Sequence, residues 1–277
     1  MKRRVSQAVR SMTVPVMHER DAHATYELAR LRVDLKPFKL HWFPTVGSTN
    51  AQAAKMRREG RLLAPAVVLT GRQTAGRGRG SNVWHSPRGV ITASFVLRAH
   101  DTLPPQHVPL VAGLAVRDAI AECGIDGVGI KWPNDLWFED RKVAGLLCER
   151  FGSIDVIGVG LNANLDPREL PKAVAATTTS LRQISGKSID VTTLVAAIAR
   201  SLRDALGDSR TSLAGLQASW RSHDVLFGRQ IRISRDGEPD LTGESAGIDG
   251  GGRLQLKTAR GTTTVLNGTV RLLVAKG

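Results

Sequence analysis

The apolar positions of this chain change period along its length, and the changes mark out the elements. His41-Trp42-Phe43, Ala66–Thr70 and Val90–Leu97 are short, rich in β-branched and aromatic residues, and bounded by turn-formers, so they read as strands. Ser48-Thr49-Asn50 offers side-chain oxygens to the free N–H groups of a helix over Ala51–Glu59, which Gly60 closes. A second helix is predicted over Val111–Cys123 with Gly124 just past its end. A third runs over Val191–Leu206, where Leu194, Ile198, Leu202 and Leu206 recur at every fourth position and Gly207 stops it. Before Lys39 the chain is polar, with room for one helix over Ala22–Val33.

After Trp220 the texture becomes five short β-rich runs: Gln230–Ser234, Gly243–Ile248, Arg253–Lys257, Thr262–Leu266 and Val270–Val274. Turns such as Asp249-Gly250-Gly251-Gly252 separate them, which suggests a small β-barrel appended to an α+β core. The division expected is an N-terminal arm over 1–38, a main domain over 39–222 and a small domain over 223–277. No internal repeat or low-complexity tract interrupts it.

Composition narrows the class. The chain has 277 residues, 42% hydrophobic and 23% charged, enough apolar material for a packed core. No run approaches the roughly 18 apolar residues of a membrane span. The basic start, Met1-Lys2-Arg3-Arg4, is followed by a segment broken by Ser6, Gln7, Arg10 and Ser11, so it does not read as a signal peptide. A cytoplasmic location is expected. Cys123 and Cys148 are read as small buried hydrophobes, and the seven histidines show no ligand spacing with a third partner. A transition-metal site is disfavoured.

Lys and Arg total 39 against 25 Asp and Glu, a net charge of +14. That surplus favours phosphates, whether on a nucleotide, a nucleic acid or an acidic partner. Aromatic residues are only 4%, too few to supply stacking platforms for single strands.

Three segments could carry chemistry. In Gly71–Trp84, alternating Gly and Arg lets backbone N–H groups approach an anion while guanidinium forks grip its oxygens. A solvated loop or an RNA-binding Arg-Gly segment competes with that reading. Ile130-Lys131-Trp132, a Pro-Asn-Asp turn and Leu136-Trp137-Phe138 form a hairpin, and a strand follows over Lys142–Cys148. It presents two lysines for phosphates and one oxygen ligand, Asp135, for Mg²⁺; an ordinary turn with solvated lysines is the alternative. Gly158-Val159-Gly160-Leu161-Asn162 is an apolar strand ending in an amide that can read a nucleobase or close a turn. Gly186-Lys187-Ser188 imitates the end of a P-loop, but Leu181 stands where the motif requires glycine. There is no Gly-x-Ser-x-Gly elbow.

Taken in order, Ser48-Thr49-Asn50, Gln73–Trp84, Lys131-Trp132-Pro133-Asn134-Asp135-Leu136, Lys142–Leu147 and Gly158–Asn162 closely resemble the biotin protein ligase family. The Trp220-Arg221-Ser222-His223-Asp224 stretch adds to the resemblance, which covers roughly 39–275. It implies a mixed-sheet catalytic domain followed by an SH3-like barrel. The implied reaction converts biotin and Mg-ATP to biotinyl-5′-AMP and pyrophosphate, then passes the biotinyl group to a lysine of a biotin carboxyl carrier protein.

By the same resemblance, Ser48, Thr49, Asn50, Gln73, Gly76, Arg77, Gly78, Arg79, Lys142 and Gly145 bind biotin. Arg77, Arg79, Trp84, Lys131, Asn134, Lys142 and Asn162 bind ATP and the adenylate; Arg79, Lys131 and Lys142 are catalytic, and Asp135 holds Mg²⁺. Two departures stand out: Ser81-Asn82 replaces a second Gly-Arg in the loop, and Thr269 replaces an acidic residue after Gly268. The resemblance gives the charge a use, since carrier domains of the family are often acidic. Residues 1–38 are too few for a winged-helix domain, so sequence-specific DNA binding is not expected, and without a long apolar run neither is a membrane partner. A homodimer through a sheet edge is compatible with the chain.

Overall fold

The computed structural model describes residues 26–207, 213–235 and 237–273. Its main sheet contains β1 (Lys39–Val46), β2 (Ala66–Gln73), β3 (Val90–Arg98), β4 (Gly129–Lys131), β5 (Asp135–Phe138), β6 (Arg141–Phe151) and β7 (Ile154–Asn162). The strand order is β1-β2-β3-β7-β6-β5-β4; β1 and β2 are parallel and every other pair is antiparallel. The helices are α1 (Leu28–Asp34), α2 (Thr49–Arg58), α3 (Val108–Glu122), α4 (Lys172–Ala175), α5 (Leu181–Ser185), α6 (Val191–Gly207) and α7 (Leu213–Arg221).

Side-chain alternation divides the sheet into two unlike faces. Val67, Leu69, Ile91, Ala93, Phe95, Ile157, Val159 and Leu161 point into the main core with α3 and α6. On the opposite face Ala66, Val68, Val96, Ile154 and Val156 pack beneath Ala53 and Met56 of α2. That helix starts on Ser48, whose side chain accepts from Ala51 N. Covering only part of the face, α2 leaves the middle of β3, β7 and β6 open. The candidate site lies there.

Several boundaries moved for identifiable reasons. The second helix begins a turn earlier than the periodicity indicates, at Val108, because Pro109 falls in its first turn where no N–H is needed. The third keeps Leu194, Ile198, Leu202 and Leu206 buried and runs through Gly207. The helix expected over Ala22–Val33 occupies Leu28–Asp34, and residues before Tyr26 lie outside the description, as does the basic start. Tyr26, Leu31, Leu35 and Phe38 are buried in the main core, so the end of the polar N-terminal stretch is built into the fold. Cys123 and Cys148 are half-buried, not buried as expected, and pack against the core from its margin.

The C-terminal region forms a second antiparallel sheet that fits an SH3-like domain. It contains β8 (Gln230–Arg235), β9 (Glu238–Ile248), β10 (Leu254–Thr258), β11 (Gly261–Val265) and β12 (Thr269–Leu272), in the order β11-β10-β9-β8-β12. Val274, expected to end the last strand, is outside the described residues. Ile231, Ile233, Leu254, Leu256, Val265 and Val270 join the same apolar core as α3 and α6. Polar ties reinforce the junction: Ile130 N donates to His223 O at 2.7 Å, Val225 N to Ile130 O at 3.0 Å, and Trp132 Nε1 to Gly252 O at 3.0 Å.

Candidate active site

The site begins as a row of residues aligned across six strands by register alone. Lys131 pairs with Asp135, Asp135 with Gly145, Gly145 with Gly160, Gly160 with Thr92 and Thr92 with Thr70. One row along, Leu147 pairs with Gly158 and Gly158 with Ser94. Large apolar side chains here would fill the face, and glycine leaves it hollow. A Cβ on Gly160 would run into the Trp84 indole, and one on Gly158 into the Asn50 amide. The result is a cavity of about 570 Å³ floored by glycines and small polar residues.

Local backbone irregularity aims the principal lysine into this cavity. The β5–β6 register shifts between Leu136 and Trp137, leaving Val143 as an extra residue on β6. Val143 and Ala144 are both fully buried in the core, so Lys142 and Gly145 share the cavity face despite their odd spacing. Lys142 Nζ lies 2.7 Å from Asp135 Oδ1 and 5.7 Å from the Trp84 ring centroid. Lys131 Nζ sits 4.0 Å over the Trp137 ring. Burial pushes its ammonium down to about 8, against the opposing pull of Asp135, while Lys142 and Arg271 add to the depression. Asn134 is held by its own backbone and amide against Leu146, with Leu146 N donating to Asn134 O at 2.9 Å.

At the other end, Thr49 N and Oγ1 both donate to Gln73 Oε1, at 2.7 and 3.2 Å. Asn50 is 2% exposed and its amide is engaged: Oδ1 accepts from Ser94 Oγ at 2.6 Å, while Nδ2 donates to Leu147 O at 3.0 Å and Glu149 Oε2 at 2.7 Å. Ser48, Thr49, Asn50 and Gln73 line the cavity together.

The Gly-Arg segment is a small hairpin arching over this floor. Arg77 bridges Val83, Gly78 N donates to Asn82 O at 2.7 Å, Asn82 N to Arg79 O at 3.2 Å, and Trp84 N to Gly76 O at 3.0 Å. Asn82 Nδ2 also donates to Arg79 O at 2.9 Å, so the residue that departs from the Gly-Arg pattern closes the hairpin tip. Gly76 forms its neck, where a Cβ would meet the Trp84 carbonyl and the Gln73 amide. Arg79 is half-buried at the cavity; desolvation pulls its guanidinium below the usual arginine range and nearby Asp135 opposes this.

The cavity thus gathers Ser48, Thr49, Asn50, Gln73, Arg77, Gly78, Arg79, Trp84, Lys131, Asn134, Asp135, Lys142 and Gly145. Gly76 and Asn162 are not on its lining. Asn162 lies behind the wall, buried, with Nδ2 donating to Thr179 O at 3.1 Å and Lys142 O at 3.3 Å. It supports the strand that carries Lys142. Sequence reasoning missed Thr92, Ser94 and Glu149, and also the small domain's Ser234, Arg235, Glu238 and Asn267, which with Gly268 and Thr269, noted only as a departure from the family pattern, complete one side. The alternation Gly158-Val159-Gly160 in β7 was the legible signal for a hollow floor; nothing local marks Ser234, Arg235, Glu238 or Asn267. Among the described residues no cluster of three or more His, Cys, Asp or Glu could hold a metal by itself.

Fold and site together define an α+β protein with a cationic cavity beneath a Gly-Arg hairpin, suited to bringing two anionic groups together. The chain belongs to the Biotin/lipoate A/B protein ligase family, which it matches over residues 42–166. It is 33% identical over 232 residues to the biotin–[acetyl-CoA-carboxylase] ligase of Mycobacterium tuberculosis, covering 81% of this chain and 85% of that one. It is 32% identical over 216 residues to the bifunctional ligase/repressor BirA of Bacillus subtilis, covering 74% of this chain; the match spans 66% of that relative's length. Among solved structures it is similar to the biotin protein ligase of Aquifex aeolicus in complex with biotin and ATP. There the TM-score is 0.75 at 27% identity, over 85% of this chain and 99% of the other.

Proposed function

We propose that this chain activates biotin with Mg-ATP and transfers it to a lysine of a biotin carboxyl carrier protein. The observation that carries the reading is the hollow row Asp135–Gly145–Gly160, flanked by Lys131 and Lys142 and roofed by the Arg79 hairpin. In the first step an oxygen of the biotin carboxylate attacks the α-phosphorus, and the bond to pyrophosphate breaks. Both reactants are anionic, so fixed positive charge lowers the barrier by offsetting their repulsion and the charge of the crowded phosphorus. Lys142 is aimed at that charge by the β6 bulge, and Arg79 and Lys131 add to it.

Mg²⁺ enters as part of the nucleotide substrate. Asp135 offers one carboxylate, 22% exposed, and the remaining ligands of a hard octahedral cation would be phosphate oxygens and water. In the second step the carrier lysine attacks the biotinyl carbonyl, the C–O bond to phosphate breaks and AMP leaves. The hairpin over the floor keeps water from the mixed anhydride until then. Thr49, Gln73 and the neighbouring Asn50 shape the biotin end, and Trp84 over Gly160 offers a flat face to the adenine.

The carrier and not DNA is the macromolecular partner in this reading, and the cytoplasm is the compartment where it would act. No helix of the described residues is long and apolar enough to cross a membrane. The test is biotin-dependent pyrophosphate release by the purified chain, followed by label transfer to a carrier domain, with lipoate as competitor. Both signals are expected, with little effect of lipoate. Absence of both in folded protein would overturn the reading, and activity with lipoate alone would reassign the substrate within the family.

A further inference from the structure

Glu149 stands outside every motif of the sequence, yet it joins the two parts of the site. It lies on β6 with its carboxylate 27% exposed beside the cavity. Asn50, anchored in the floor by Ser94 and Leu147, donates Nδ2 to Glu149 Oε2 at 2.7 Å and so fixes where that carboxylate points. From the other side the Arg77 guanidinium reaches both Glu149 oxygens at 3.3 Å. The remaining hydrogen bonds of positions 77–83 close within the hairpin, at Gly78–Asn82 and Asn82–Arg79. Among the described residues the Arg77–Glu149 pair is the side-chain polar tie between the hairpin stem and the sheet.

We propose that Glu149 is the latch of the Gly-Arg hairpin, a positioning residue that holds Arg77, and with it the roof over the cavity, in the closed arrangement. The inference rests on the reading above only for what the roof covers. The pair is partly exposed, with Arg77 at 52%, so the latch is weak by design of its setting and releases readily. A weak latch suits a roof that must admit ligands and open again to an incoming lysine. Asn50 takes a definite part in this: it transmits the position of the floor to the roof. That role accounts for a buried amide whose groups are engaged inside the protein.

The experiment compares wild type, Glu149→Gln and the charge exchange Arg77→Glu/Glu149→Arg in the full chain. Amide hydrogen exchange over 76–84 is measured without ligand, and release of preformed adenylate is measured separately. Glu149→Gln is expected to speed exchange across the hairpin about two- to fivefold and to speed adenylate release by a similar factor, with the biotin KM changing less. The charge exchange is expected to return hairpin protection toward wild type, whatever it does to ligand binding. Unchanged hairpin exchange in Glu149→Gln would overturn the latch, and so would a charge exchange as unprotected as the single variant at equal Tm. Because the exchange measurement needs no ligand, it can fail while wild-type adenylate formation succeeds, and the reverse.

Discussion

The floor and the roof of the cavity are built on opposite principles. Each floor residue between Asp135 and Thr92 sits in a strand paired on both sides and backed by the buried layer of Leu161, Val159 and Ala93. The roof, positions 76–84, is a glycine-spaced hairpin bonded mainly to itself and, among the described residues, joined to the sheet from its stem by the Arg77–Glu149 ion pair. In the proposed reaction the difference divides the work. Charge stabilisation needs groups that do not reorganise during reaction, and the floor would supply them. Exclusion of water and admission of substrates need a part that opens, and opening costs little where few contacts are lost.

Removing the floor's central cation should have the largest effect. Lys142→Ala is expected to slow adenylate formation by about 10²–10³-fold, read as pyrophosphate release, with the fold intact. A loss below tenfold would move the electrostatic work to the roof and break the comparison. Filling the floor comes next. Gly160→Ala places a methyl group against the Trp84 indole, and the ATP KM should rise roughly tenfold while the biotin KM moves less. An equal rise in both would mean that Trp84 does not border the nucleotide alone.

Loosening the roof should separate retention from binding. Arg79→Gly is expected to speed adenylate dissociation about tenfold and to change biotin affinity about threefold or less. Equal losses would make Arg79 part of the resting pocket and blur the distinction between roof and floor. The smallest effect is a pH dependence of the floor. Lys131 is charged below about 8 and neutral above it, and bound phosphates favour the charged form. Binding of a non-reacting ATP analogue should therefore weaken as pH rises from 7 to 9, by roughly fivefold. Lys131→Arg should flatten that slope, because guanidinium keeps its charge; a slope that persists would belong to another group.

The legibility of the site followed the range of the interactions that make it. The Gly-Arg segment as an irregular loop and Lys131–Asp135 as a turn were readable because each is a local run whose backbone demands are written in adjacent residues; that the loop folds into a hairpin was not. Ser48 as a helix cap was readable for the same reason, and it does cap α2. Asn162 shows the limit: an amide at a strand end serves a ligand or a neighbouring strand equally well, and here it bonds Thr179 and Lys142 carbonyls. Glu149 was unreadable because its partners, Asn50 and Arg77, lie 99 and 72 residues away.

The sequence by itself determined the fold class, the five-stranded C-terminal region and the family, because alternation, capping and motif order act over short stretches of chain. Tertiary structure alone decided which face of the sheet is hollow, that a bulge at Val143 turns Lys142 into it, and that Ser234, Arg235, Glu238 and residues 267–269 close one side. Strand register couples residues far apart in sequence, and a one-residue shift moves a side chain to the opposite face. That coupling is collective, and no single segment carries it.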